Sequence, residues 1–242
     1  MEKKLIVVLG NKSYGEPFTH LGKISTSVVD IFKDKENIQL VVFTGGEDVH
    51  PSFYGGVDRG ISYHNIRRDM YEKKVFDFCT QHNIKCTGIC RGAQILDVMC
   101  GGSMYQHIRN HTRDHIIIYP ALNRKVFVTS THHQLVGLAP DAVPIAWADP
   151  RKSDIYIGPN CEKVNPPKHE IEAAVYPKFN ALGVQFHPEF MRNSLSGKIL
   201  YRKMAKDFLK NSMEAFIDLY GVKKSGAHNN LLTGDICHAS AS

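Results

Sequence analysis

The sequence predicts an α/β fold: a doubly wound, mostly parallel sheet flanked by helices, with a sharp strand-to-helix elbow and a small antiparallel extension. Three observations predict it. Continuous apolar runs, Leu5-Ile6-Val7-Val8-Leu9 and Gln39-Leu40-Val41-Val42-Phe43, read as strands buried on both faces. Stretches of helical periodicity alternate with them, which is the order of a parallel sheet covered on both sides. Glycines stand directly after the strands, at Gly10, Gly45-Gly46 and Gly88 to Gly92, where the chain must turn. At 242 residues the chain is long enough for one well-buried core. We read residues 1–221 as a single domain and the small, polar residues 222–242 as a flexible tail.

In chain order, the first strand ends at Gly10-Asn11. Residues 22–34 carry Ile24, Val28, Val29, Ile31 and Phe32 at helical spacing. The strand at 39–43 runs into Thr44-Gly45-Gly46-Glu47-Asp48, where adjacent glycines let backbone N–H groups face a ligand, although a plain turn has the same composition. Ile66 to His82 forms a helix with Met70, Val75, Phe76 and Phe78 inward. Asn83 to Thr87 is a short buried strand, and Ala93 to Met99 a helix. Ile116 to Tyr119 and Val126 to Thr129 are short antiparallel strands, and Ala142 to Trp147 is another apolar piece. Residues 150–169, with Pro150, Pro159, Pro166 and Pro167, lose periodicity and form a long loop of the kind that often serves function. Ile171 to Tyr176 and Ala181 to Phe186 are a strand pair, and 195–220 are helical.

Composition excludes several classes. Hydrophobic residues are 43% and charged residues 22% of the chain, as in an ordinary globular domain. The net charge of +6 comes from scattered lysines and arginines, so no nucleic-acid face is expected. The apolar run near the N-terminus is too short for a signal or a membrane span. The six cysteines show no framework spacing and no CxxC pair, which fits free thiols in a reducing cytoplasm. The thirteen histidines form no HExxH and no tight His/Asp cluster, so neither a metal nor a cofactor is expected.

The chemistry centres on Gly88-Ile89-Cys90-Arg91-Gly92-Ala93-Gln94. Cys90 stands where a strand turns into a helix, flanked by a glycine two residues to either side, in the G-x-nucleophile-x-G pattern. The positive end of a helix dipole favours a thiolate there. A buried structural cysteine fits the same five residues equally well. His187-Pro188-Glu189 decides between the readings. In extended backbone residues two apart point to one side, so a carboxylate is placed to orient a histidine that serves as base and then acid. Strand ends of a parallel sheet gather ligands, and the Gly45-Gly46 loop and Cys90 both lie at such ends.

These blocks resemble the class I glutamine amidotransferase superfamily, specifically its gamma-glutamyl hydrolase-like branch, peptidase family C26. The similarity rests on Thr44 to Gly55, Gly88 to Gln94 with Gly101 to Gln106, and Gly183 to Glu189. Arg68-Asp69…Glu72 and His132-His133-Gln134 resemble the branch as well, so the match spans roughly residues 4 to 210. The resemblance implies a flavodoxin-like fold and hydrolysis of a γ-glutamyl amide through a thioester. In it Cys90 is the nucleophile, His187 the base and acid, and Glu189 its orienter. The backbone N–H groups of Arg91 and of Gly46 or Gly45 would form the oxyanion hole. Gln94 would touch the α-amino or α-carboxylate end of the glutamyl group, and His132, His133 and Gln134 would line the pocket; an exposed strand end is the bland alternative for His133. Arg68, Asp69 and Glu72 read as structural, pairing helix to loop. The chain departs from the family pattern at His107, where relatives often carry an acid, and at the insertion 150–169, which with the positive charge suggests an anionic leaving group.

The resemblance leaves two activities. One is a free-standing hydrolase acting on a small-molecule γ-glutamyl substrate and releasing glutamate with an amine or ammonia. The other is a glutaminase subunit that supplies ammonia to a separate synthetase partner. A catalytically dead binding module conflicts with an intact Cys–His–Glu set, and a related cysteine-elbow family lacks the His-x-Glu ending. No membrane or nucleic-acid partner is expected, and a homodimer is left open.

Overall fold

The computed structural model describes residues 4–192 and 194–222. In chain order its elements are β1 (Leu5–Leu9), β2 (Lys23–Ser25), α1 (Val29–Lys33), β3 (Ile38–Phe43), α2 (Ile66–Gln81), β4 (Cys86–Ile89) and α3 (Arg91–Met99). Short strands β5 (Met104–Tyr105) and β6 (His107–Ile108) precede the hairpin β7 (His115–Tyr119) and β8 (Arg124–Val128). Then come β9 (Leu135–Val136), β10 (Val143–Ala148), β11 (Tyr156–Ile157), β12 (Ile171–Tyr176), β13 (Ala181–Val184), α4 (Leu195–Lys210) and α5 (Met213–Tyr220).

Nine strands form one mixed sheet in the order β2-β1-β3-β4-β13-β12-β10-β7-β8. The strands from β2 to β13 are parallel. From β13 to β8 every pairing is antiparallel, so the extension is broader than the two strand pairs read from the sequence. Alternate side chains of β1 and β3 feed two cores. Ile6, Val8, Leu40 and Val42 pack with Leu200, Tyr201, Met204 and Phe208 of α4 and Phe216 of α5. Val7, Leu9, Val41 and Phe43 pack with Val75, Phe76 and Cys79 of α2 and Ile95 and Leu96 of α3. Helices therefore cover both faces, and β1, β3 and β4 of the parallel half are buried on both, as the unbroken apolar runs of β1 and β3 require.

Local readings differ from the structure at four places. Residues 22–34 are not one helix: Lys23–Ser25 pairs with β1 as a parallel edge strand, and only Val29–Lys33 is helical. Strand pairing overrides a weak helical period there. The strand before Cys90 starts at Cys86, because Asn83 turns the chain with φ 57°. Met70 is 53% exposed, and the positions that α2 buries beside it are Asp69 and Glu72. The helical stretch 195–220 breaks at Asn211-Ser212, where the Ser212 hydroxyl accepts from Ala215 N and starts α5. Beyond Val222 the expected tail lies outside the described residues. None of the described helices is long and apolar enough to cross a membrane.

Candidate active site

β4 delivers Cys90 to the carboxyl end of the parallel sheet. Ile89 pairs with Val184 of β13, and Cys90 N donates to Val184 O at 2.8 Å. Cys90 itself sits at φ 54°, ψ −115°, a conformation that a non-glycine residue rarely holds and that the surrounding structure must enforce. Both flanking glycines are required by close approach. A Cβ at Gly92 would overlap the backbone carbonyl of Phe43, and one at Gly88 would overlap the carbonyl of Gly92. The helix can start directly behind the thiol only because those two side chains are missing.

The parallel pairing of β13 with β4 also fixes the histidine. Three residues past Val184, His187 N donates to Thr129 O at 2.8 Å, and the ring turns back toward Cys90. Cys90 and His187 line the same cavity, and their interaction raises the His187 pKa. His187 Nδ1 stands 2.7 Å from Glu189 Oε1, and Nε2, the nitrogen left to serve Cys90, stands 2.8 Å from the Thr131 hydroxyl. Burial pulls the His187 pKa down, but the hydrogen bonds to Cys90 and Glu189 outweigh it and hold the ring at about 10. The ring of Phe190 stacks on His187 with centroids 5.1 Å apart.

These groups open on a cavity of about 260 Å³. Its wall includes Gly46, Cys90, Arg91, Gln94, His132, His133, Gln134 and His187, so eight residues expected from the sequence meet in one place. Glu189 lies behind His187. Gly45 is packed against the ring: a Cβ there would come 3.3 Å from His187 Cε1. His132 is buried and His133 is half-exposed at the rim, where its Nε2 is 3.1 Å from Asp48 Oδ1 and that contact raises its pKa. His107 stands behind His133, with Nδ1 to Nδ1 at 3.3 Å.

The sequence reading missed Tyr14, Asp48, Thr131 and Phe190, which also line the cavity. Asp48, Thr131 and Phe190 fall inside or beside blocks already singled out, so proximity to those blocks was a usable signal. Tyr14 follows β1 in a 3-10 helix over Lys12–Phe18 and gives none. Residues 150–169 do not line the cavity. They lie beside it: β11 pairs with β6, and Lys152 N and Ser153 N donate to the carboxylate of Glu170.

A charged frame holds the glycine loop. Arg91 is fully buried and pairs with Asp69 and with Glu72. Arg68 donates through Nε to Glu72 at 2.9 Å and through Nη1 to Glu47 at 2.5 Å. Its Nη2 donates to the carbonyls of Thr44 and Gly45 at 3.0 and 2.9 Å. Both arginines satisfy buried carboxylates, and Arg68 fixes the carbonyls so that the Gly45-Gly46 backbone cannot turn over. Gly46 holds φ 139°, which only glycine adopts readily.

Folding also assembles what the sequence spacing did not reveal. His111, His115 and Glu172 offer potential metal-ligand atoms within 4.8 Å of one another, as do His50, Asp58 and His64. The sequence was read for ligands at motif spacing, and these sets meet only in the fold; Glu172 joins His111 and His115 from a distant strand.

A family model described as Peptidase C26 matches residues 24–151, more than half of the chain. A Schizosaccharomyces pombe relative named for glutamine amidotransferase activity is 38% identical over 77 residues, which is 30% of this chain and 29% of that protein. The chain thus spans less than a third of that relative's length. The gamma-glutamyl-CDP-amidate hydrolase of Campylobacter jejuni is 26% identical over 163 residues, 66% of this chain and 67% of that protein. Among solved structures, a glutamine amidotransferase from Thermotoga maritima has a TM-score of 0.54 at 16% identity, covering 86% of this chain and 83% of its own. That likeness establishes the fold: a flavodoxin-like sheet with flanking helices. The chain belongs to the Peptidase C26 family.

Proposed function

We propose that the protein is an amidohydrolase that cleaves γ-glutamyl amides through a thioester on Cys90. The observation that carries this reading is the line Cys90–His187–Glu189, with a strained cysteine sharing the cavity of a histidine that is itself 2.7 Å from a buried carboxylate. His187, whose pKa is raised, takes the thiol proton. The sulfur attacks the γ-carbonyl carbon, and the C=O electron pair moves onto oxygen. The N–H groups of Gly46 and Arg91, both at the cavity wall, receive that oxyanion. His187 passes its proton to the departing nitrogen, the C–N bond breaks, and glutamyl thioester remains. Neutral His187 then takes a proton from water, hydroxide attacks the thioester, and the C–S bond breaks to give glutamate and the starting pair. Glu189 holds the ring in register and stabilises the imidazolium throughout.

Gln94, buried at the cavity wall with its Nε2 3.4 Å from Gln134 O, is suited to the α-amino or α-carboxylate end of the glutamyl group. The Campylobacter jejuni relative is named for a γ-glutamyl amidate carrying a nucleotide, which supports a γ-glutamyl amine over glutamine as substrate. The test is glutamate release by the purified chain from L-glutamine and from a panel of γ-glutamyl amines. The expected outcome is turnover of at least one γ-glutamyl amine faster than glutamine, reduced by more than about 10⁴-fold in Cys90→Ala. Turnover that survives Cys90→Ala overturns the reading. Silence of the chain toward every substrate moves the activity to a complex with a synthetase.

A further inference from the structure

Behind the cavity wall, three imidazoles converge on one carboxylate oxygen. His111, His115 and His132 place Nε2 at 2.7, 3.1 and 3.2 Å from Glu172 Oε1. All four residues are at most 3% exposed. The opposite nitrogen of each ring already faces an oxygen. His111 Nδ1 is 3.1 Å from Ser153 Oγ, with Glu170 Oε1 behind it at 3.6 Å. His115 Nδ1 is 3.0 Å from Arg113 O, and His132 Nδ1 is 2.9 Å from Gln134 O. A backbone carbonyl accepts only, so Nδ1 of His115 and of His132 carries the proton and donates. In their neutral forms both rings then turn a bare Nε2 toward Glu172, and two lone pairs face a third group that also has no proton.

Protons relieve this poorly. Satisfying all three contacts needs His115 and His132 both as imidazoliums, two cations buried around one carboxylate, with His111 neutral and accepting from the Ser153 hydroxyl. It would also load three hydrogen bonds on one oxygen, which has two lone pairs. Meanwhile Glu172 Oε2 is buried and has no hydrogen-bond partner. A divalent cation resolves each point. It takes Nε2 lone pairs as ligands, gives Oε2 something to face, and balances the two carboxylates with the rings neutral. The partners on Nδ1, two carbonyls and a hydroxyl backed by a carboxylate, are the outer contacts that fix metal-bound histidines.

We propose that His111, His115 and Glu172 form a binding site for a zinc-type divalent cation, with His132 beside them as its link to the active-site wall. Their ligand atoms already lie within 4.8 Å of one another, and roughly 3.3 Å is the separation that bonds near 2.0–2.1 Å to a tetrahedral ion require. Nitrogen and carboxylate donors without sulfur suit zinc and its first-row neighbours rather than calcium or magnesium. The site is structural and does not enter the reaction. It ties β7 and β12 to residues 130–134, since His132 faces Glu172 and the Ser130 hydroxyl donates to His111 O at 2.8 Å.

The test is a zinc titration of the chelator-dialysed full chain against a chromophoric competitor, with thermal unfolding before and after zinc. The site predicts one zinc per chain, a higher melting temperature with zinc, and at least a 100-fold loss of affinity in Glu172→Gln. Glu170→Gln keeps the ligands, removes the carboxylate charge behind His111 and leaves an amide oxygen to accept from Lys152 N, Ser153 N and the Tyr156 hydroxyl, so it lowers affinity by about tenfold and serves if the first variant does not fold. Cobalt substituted for zinc gives ligand-field bands without a thiolate charge-transfer band. His64→Ala, in the outer cluster of His50 and Asp58, leaves the titration unchanged. A chain that binds no zinc and melts identically after chelation overturns the proposal. So does zinc binding that vanishes in His64→Ala, or that both glutamate variants retain in full. None of these readouts depends on amide hydrolysis, so they stand or fall apart from the catalytic reading.

Discussion

Glu189 lies two residues past His187, and Pro188 stiffens the connection between them. Its Oε1 meets Nδ1 at 2.7 Å, and its Oε2 is buried without a partner. Such a carboxylate is costly to bury unless it is used, and its use is to hold one ring orientation. Replacing it by glutamine keeps the shape and removes the charge. Glu189→Gln should lower kcat by about 10²- to 10⁴-fold with KM changed only a few-fold, as steady-state kinetics on the preferred substrate will read. An unchanged kcat would remove Glu189 from the catalytic set. This pair was legible because both members lie in one tripeptide. Cys90 was legible because its constraint is written locally, as two glycines. Tyr14 and Thr131 were not: a tyrosine in a short 3-10 helix and a threonine before two histidines look like many others, and only the fold brings them to the cavity.

At the scale of elements, the junction of β4 and α3 leaves no room for a side chain at residue 88 or 92. The helix starts against the end of β3, so the Phe43 carbonyl occupies the space a side chain at residue 92 would need. Backbone on both sides leaves little room for relaxation. Gly92→Ala should cost about 3 kcal/mol of stability, seen as a lowered denaturation midpoint with an unchanged slope. A midpoint within error of the parent would mean that α3 shifts freely, which is incompatible with a rigid elbow. α2 teaches the opposite lesson about legibility. Its period suggested that Met70 faces inward, yet Met70 is exposed while Asp69 and Glu72 are buried. The apolar pattern was overridden because Arg91, fully buried behind the nucleophile, needs two carboxylates. A helix that buries charges for a partner in another element cannot be read from its own hydrophobicity.

Across the whole molecule, the sheet changes character at β13. On one side the parallel strands carry Cys90 and the glycine loop. On the other, antiparallel strands bring His115 and Glu172 together. β13 belongs to both, and its end carries His187 to Cys90. The parallel half was legible because alternating apolar runs and helical periods force βαβ order. The order of the antiparallel strands was not, since short strands of similar pattern can pair in several ways. The edge strand β2 was read as helix for the same reason: its identity comes from pairing with β1. The histidine cluster lies furthest from sequence reasoning, because its members are spread from residue 111 to residue 172 and meet only through the completed sheet.

The central claim is that Cys90, activated by His187, forms the covalent bond to the glutamyl group. The most direct measurement is the rate and site of labelling by a γ-glutamyl electrophile, read by intact mass and peptide mapping. The account predicts one label per chain on Cys90 and none on the buried Cys79 or Cys86. It also predicts labelling slowed by at least about 100-fold in His187→Asn. A label on another cysteine, or equal rates with and without His187, would contradict it.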